Sequence, residues 1–103
     1  MVLSIQNQKI EINLNQYGEL VEPKLPNLLE IVDNTKEIYI NILDTDPMSG
    51  GVFVNVLKLI NHGDHVKVVE RYKSPLGEIT IDKHYENAKP SDILKLLFPY
   101  TFK

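Results

Sequence analysis

The chain has 103 residues, no cysteine and a formal net charge of -3. That suits one domain around a single apolar core and excludes disulfides and thiolate metal sites. Arg71 is the lone arginine and the lysines are scattered, so no cluster of phosphate-neutralising cations points to nucleic acid.

The amino-terminal stretch MVLSIQNQKIEINLN interrupts its apolar residues with Gln, Asn, Lys and Glu, and no apolar run reaches the length of a bilayer span. A soluble cytoplasmic protein with no signal peptide and no membrane partner is expected. Val2 and Ile5 form one apolar run and Ile10, Ile12 and Leu14 a second, with the second alternating against Glu11, Asn13 and Asn15. Period two with one polar face predicts a starting hairpin. Tyr17 and Gly18 mark a turn in the loop 16–24, where Pro23 forbids a central strand. Leu25, Leu28, Leu29 and Val32 follow the i, i+3, i+4, i+7 spacing of a short helix, with Pro26 suited to its first turn and 33–35 as its stop.

Ile38, Ile40 and Ile42 then alternate with Tyr39, Asn41 and Leu43, which predicts a central strand covered on both faces, with Asn41 in need of a hydrogen bond. After TDPMSGG, the residues Val52, Phe53, Val56, Leu57, Leu59 and Ile60 make a broad apolar stripe opposite Asn55, Lys58, Asn61 and His62. The stripe predicts a second helix that Gly63 closes, held by packing because so many of its residues are β-branched. Val66, Val68 and Val69 begin the next strand, and KSPLG turns it into a strand over 78–85, the two forming an appended hairpin. Pro90, Ser91 and Asp92 start a last helix carrying Ile93, Leu94, Leu97 and Phe98, and Pro99 stops it.

The expected fold is therefore α/β. It is a single small domain over 1–103, with a mixed β-sheet built on a central βαβ unit, an appended hairpin, and two to three helices packed on the sheet. The strands 38–43 and 66–69 are expected side by side and parallel, joined by the helix that opens near Ser49.

That junction is the main candidate site. Asp46 or Ser49 can cap the helix through its side-chain oxygen, with Gly50 and Gly51 serving the turn. Alternatively the glycines let a partner approach, and Ser49 is presented for phosphorylation, where the helix amino end favours the phosphate. A P-loop is excluded because no GxxxxGK[ST] spacing is present. His62, Asp64 and His65 resemble a metal cluster but lack ligand spacing and a fourth ligand, so no metal or other cofactor is expected. Ser4, Ser74 and Ser91 lack the GxSxG setting of a nucleophile, and an enzyme is not expected.

The stretch IYINILDTDPMSGGVFVNVLKLINHGDHVKVV, with Ser49 and Gly50 at the Ser-Gly positions, resembles the STAS domains of anti-sigma-factor antagonists. The ending, VVERY and later FPYTF, is similar to their small SiaC-like branch. The resemblance implies a non-enzymatic regulatory domain, switched by phosphorylation of Ser49, that binds a kinase or anti-sigma-type partner. Its docking residues would be Thr45, Asp46, Met48, Ser49, Gly50, Gly51 and Asn55. The alternative is a small interaction or oligomerisation protein, encoded by a virus or mobile element, without a phosphoswitch. In that case a homo-oligomer forms through a free strand edge such as 78–85.

Overall fold

Ile10, Ile12 and Leu14 alternate with Glu11 and Asn13, and in the computed structural model this pattern is strand β1, Asn7–Leu14. The structure describes residues 7–45, 48 and 50–102. A short strand β2, Leu20–Glu22, folds back antiparallel on β1. Helix α1, Leu28–Asp33, buries Leu28 and Val32. Its end is closed by Asn34, whose side-chain amide donates to the Glu30 carbonyl at 2.9 Å, and by Thr35, whose hydroxyl donates to the Ile31 carbonyl at 2.7 Å. Strands β3 (Thr35–Leu43), β4 (Phe53–Asn61), β5 (His65–Ser74) and β6 (Gly77–Glu86) follow, and helix α2, Pro90–Leu97, ends the described elements.

The six strands form one sheet in the order β2-β1-β3-β4-β5-β6. β1 and β3 are parallel, with β2 and α1 in the connection between them, and the remaining pairs are antiparallel. Both helices pack on one face. Ile12, Leu14, Ile38, Ile40, Leu57, Leu59, Val66 and Val68 point from the sheet into a single core, which Leu28, Val32, Ile93, Leu94 and Phe102 close from above. Buried Asn61 fastens the corner, its side-chain amide donating to the carbonyls of Asp33 (3.0 Å) and Thr35 (3.2 Å). Asp33 in turn accepts from the backbone N–H and hydroxyl of Ser91 at 2.9 and 2.8 Å, which ties α1 to the start of α2. The carboxyl-terminal aromatics also pack, with Phe102 edge-on to Phe98 and the Thr101 hydroxyl donating to the Gly18 carbonyl.

The expected α/β architecture is corrected in its centre. Where a helix was expected over 52–60 the chain forms β4, Phe53–Asn61, which lies between β3 and β5, so the two strands expected side by side are not neighbours. Strand dominates, the helices are the six-residue α1 and the eight-residue α2, and the parallel pair is β1 with β3. The reason is a β-bulge. Ile42 pairs with Val54, Asn41 with Asn55 and Ile40 with Leu57, which leaves Val56 as the extra residue. A bulge shifts the phase of the alternation by one. The neighbours Val56 and Leu57 thus both pack against the core, and with Leu59 and Ile60 beyond them that break in the alternation imitates a helical stripe. The β-branched residues that weakened the helix are those a strand favours.

Two further expectations change. The helices cover one face of β3 only; on the other, Asn41 is satisfied by its neighbours Asn13 and Asn55. The starting hairpin placed a partner strand at Val2 and Ile5, which lie outside the described residues; the antiparallel partner found for β1 is β2.

Leu59 is completely buried at the middle of β4, whereas Leu96 on α2 is exposed. Leu59→Ala is expected to lower the unfolding free energy by about 2–5 kcal/mol, against less than about 0.5 for Leu96→Ala, both read from urea midpoints.

Candidate functional site

Four of the residues proposed for docking fall in a hairpin loop. Thr45, Met48, Gly50 and Gly51 are exposed in the β3–β4 connection, which the Asp44 N–H closes on the Val52 carbonyl at 2.9 Å. Gly50 and Gly51 have φ values of +70° and +77° with open space where a side chain would be, so they meet a backbone requirement of the turn. Asp46 and Ser49 lie outside the described residues. Asn55 stands apart from the loop, on the sheet face without helices. There its amide donates to the Asn41 side chain (3.4 Å) and the Leu57 carbonyl (3.0 Å). It ends a polar ladder that the sequence reading did not foresee, running from Glu22 through Asn13 and Asn41 to Asn55. With β4 in place of the expected helix, the loop offers no helix amino end to a phosphate.

The histidine group is drawn together without forming a metal site. His62 and His65 stack with ring centroids 4.5 Å apart, and His65 Nδ1 lies 2.7 Å from the Asp64 carboxylate, which that contact holds below the usual carboxylate range. Among the described residues no group of three or more His, Cys, Asp or Glu is arranged to hold a metal ion. His62, Ser91 and Asp33 share a cleft of about 680 Å³. A nucleophile would need its hydroxyl on an imidazole, but Ser91 donates directly to Asp33 and is buried there as a helix-to-helix tie. Ser74 is likewise spent in a turn, donating to the Gly77 carbonyl and accepting from the Leu76 N–H.

The less ordinary geometry is at the other end of the sheet. β4 pairs with β5 only as far as Leu57 and Glu70, while β5 and β6 remain paired out to Ser74 and Gly77. The last third of this hairpin is a two-stranded arm. On its helix side Tyr72, Ile79 and Ile81 are 51%, 57% and 41% exposed, and Leu76 at its tip is exposed as well. At the fork between arm and β4 lies a cleft of about 370 Å³ whose lining includes Ile42, Val56, Leu57, Glu70, Tyr72 and Phe98.

Glu70 anchors the arm's base. It is buried, and its carboxylate accepts from the Tyr72 hydroxyl at 3.1 Å and from Lys83 Nζ at 3.3 Å, joining β5 to β6. Both partners are perturbed by the hydrogen bond to this carboxylate first and by its charge second. The Tyr72 phenol and the Lys83 ammonium are both raised above their ordinary values. β6 itself has β5 as its only neighbour in the sheet, so its outer main-chain groups are unpaired among the described residues. The expectation of a free edge at 78–85 thus falls on an edge strand, though nothing in the sequence had located the arm.

Among the described residues no helix is long and apolar enough to cross a membrane. Comparison with protein-family models, with curated proteins and with solved structures finds no match.

Because the folded-state pKa values of Tyr72 and Lys83 are raised, each prefers its protonated form in the fold. Their stabilisation is present below their ordinary values of 10.0 and 10.5 and is lost as pH climbs through the raised ones. Urea midpoints at about pH 8 and about pH 11 should therefore differ more for the wild-type chain than for Glu70→Gln, which removes the charge both groups feel. Glu70→Ala, which removes the acceptor that Tyr72 and Lys83 share, is expected to lower the urea midpoint at neutral pH.

Proposed function

We propose that the chain is a non-enzymatic, cytoplasmic interaction domain that engages a protein partner through the β5–β6 arm, by addition of a strand to the free edge of β6. The observation that carries this reading is the exposed arm with Tyr72, Ile79 and Ile81 on one side. A hairpin without a third strand or a covering helix is only marginally stable in water, and neighbouring exposed apolar side chains mark an interaction site. Strand addition answers both needs, since main-chain bonds supply affinity while alternate side chains supply selectivity.

The edges of the sheet are unequal in a way that supports the same surface. β2 has three residues and a register irregularity against β1, a common way of blunting an edge. β6 has ten residues, no proline and an unbroken register with β5. The other reading, a kinase or anti-sigma-type partner that switches the domain through Ser49, retains an exposed loop at Thr45, Met48, Gly50 and Gly51. It lacks the helix that gave a phosphate its effect, so the arm is the better supported surface.

A photoreactive phenylalanine analogue placed at Thr80 should give protein adducts of discrete mass in cells expressing the chain, and Asp82→Pro in the same chain should abolish them. The same analogue at exposed Lys24, beyond β2, serves as the reference. Equal labelling at the two positions would remove the arm from consideration.

A further inference from the structure

The partner of β6 can be specified from the strand's own side chains. The arm turns through two residues, Pro75 and Leu76, with Ser74 opposite Gly77. In such a turn the closing pair exchanges both main-chain hydrogen bonds, so odd-numbered residues of β6 bond to β5 and even-numbered ones direct N–H and C=O to the open edge. A second copy pairing antiparallel through a two-fold axis keeps each face of the sheet continuous. Opposed residues must then share a face, so the self-opposed residue at the axis sets the register, and only a few choices overlap most of the strand.

Charge separates them. With Thr80 at the axis, Glu78 faces the partner's Asp82. With Asp82 there, Asp82 faces itself and Glu78 faces the partner's Glu86. With Lys83 there, Lys83 faces itself. Like charges directly opposite one another are destabilising. Ile81 at the axis gives none of these clashes. Ile81 meets the partner's Ile81, Thr80 meets Asp82, Glu78 meets His84, and Tyr85 lies over the partner's Gly77, which has no side chain of its own. The intramolecular contacts leave room for this. Arg71 takes only Oε1 of Glu78, while Asp82 and Lys83 are drawn back to Lys67 and Glu70 on β5.

We propose that β6 pairs antiparallel with β6 of a second copy of this chain, in the register that sets Ile81 against Ile81 at the two-fold axis. This rests on the edge-strand reading above and names its partner. Four opposed even-numbered pairs supply about eight main-chain hydrogen bonds. The exposed Ile79, Ile81 and Tyr72 of both copies come together on the helix side of a continuous twelve-stranded sheet, twice the six strands of one copy.

The chain has no cysteine, so a single introduced one reports the register directly. Ile81→Cys stands at a pair without main-chain hydrogen bonds, where opposed side chains are closest. It should be oxidised to a cross-linked dimer at least about ten-fold faster than Asp82→Cys or Lys83→Cys, which are self-opposed in the rejected registers. Light scattering should give the wild type twice the 11.8 kDa of one chain. Asp82→Pro removes a donor that faces the open edge, so it should give a monomer with an unchanged circular dichroism spectrum. A monomeric wild type without Ile81→Cys cross-linking overturns the proposal, as does faster cross-linking at Asp82→Cys or Lys83→Cys. If the wild type is monomeric and the Thr80 photoadduct contains a different protein, self-pairing is wrong while the edge-strand reading stands. If neither a dimer nor any Thr80 adduct forms, both fail.

Discussion

One surplus residue in β4 governs the shape of this molecule. Val56 is the bulge that offsets Ile42 and Val54 from Ile40 and Leu57, and the pairing of β4 with β5 ends at Leu57, immediately beside it. A bulge bends its strand and increases local twist. The amino-terminal half of β4 follows β3, while β5 continues with β6, so the sheet forks. The arm, the cleft at its base and the exposed Tyr72, Ile79 and Ile81 all follow from that parting.

The fork also explains where polar groups are spent. A carboxylate buried on the core side of a sheet is costly unless it is bonded, and Glu70 sits where the fork opens. Tyr72 and Lys83 satisfy it from the two strands of the arm, so the arm is fastened where β4 leaves it. At the opposite end, Asn61, Asp33 and Ser91 join β4, α1 and α2 through buried hydrogen bonds. The end carrying histidines and clefts is thus held by internal bonds. The arm carries unspent main-chain groups.

Much of this was legible in the sequence where a single rule acted alone. β1 alternates from Ile10 to Leu14 and β6 from Glu78 to Asp82, Asn34 and Thr35 stop α1 where the spacing ended, Pro90 opens α2, and KSPLG turns the β5–β6 hairpin with two residues in its loop. β4 is not legible from periodicity because the bulge sets the neighbouring Val56 and Leu57 both against the core, which breaks the period of two. Its β-branched residues carried the contrary information. The misread helix then propagated, since it converted a β3–β4 hairpin into a crossover and gave the loop at Ser49 a helix amino end it does not have. The Asn13, Asn41 and Asn55 ladder was hidden for a different reason. It depends on three strands lying in register, and each asparagine alone reads as one polar residue in an alternation.

An edge strand is normally defended by charge, by proline, by a bulge or by brevity. β2 has brevity and an irregular register. β6 has charge, with Glu78, Asp82 and Lys83 each paired across the hairpin to Arg71, Lys67 and Glu70, so its charges sit on the two faces of the sheet and act on an approaching strand only through the residues that the register sets opposite them. What remains at the edge is a ladder of main-chain groups with its side chains in strict alternation. Alternation leaves only registers in which like faces coincide, and the order of charges along β6 separates those. The order Glu78, Thr80, Asp82, His84 on one face and Ile79, Ile81, Lys83, Tyr85 on the other leaves one long register free of like-charge opposition, centred on Ile81, and the proposed self-pairing of β6 rests on it.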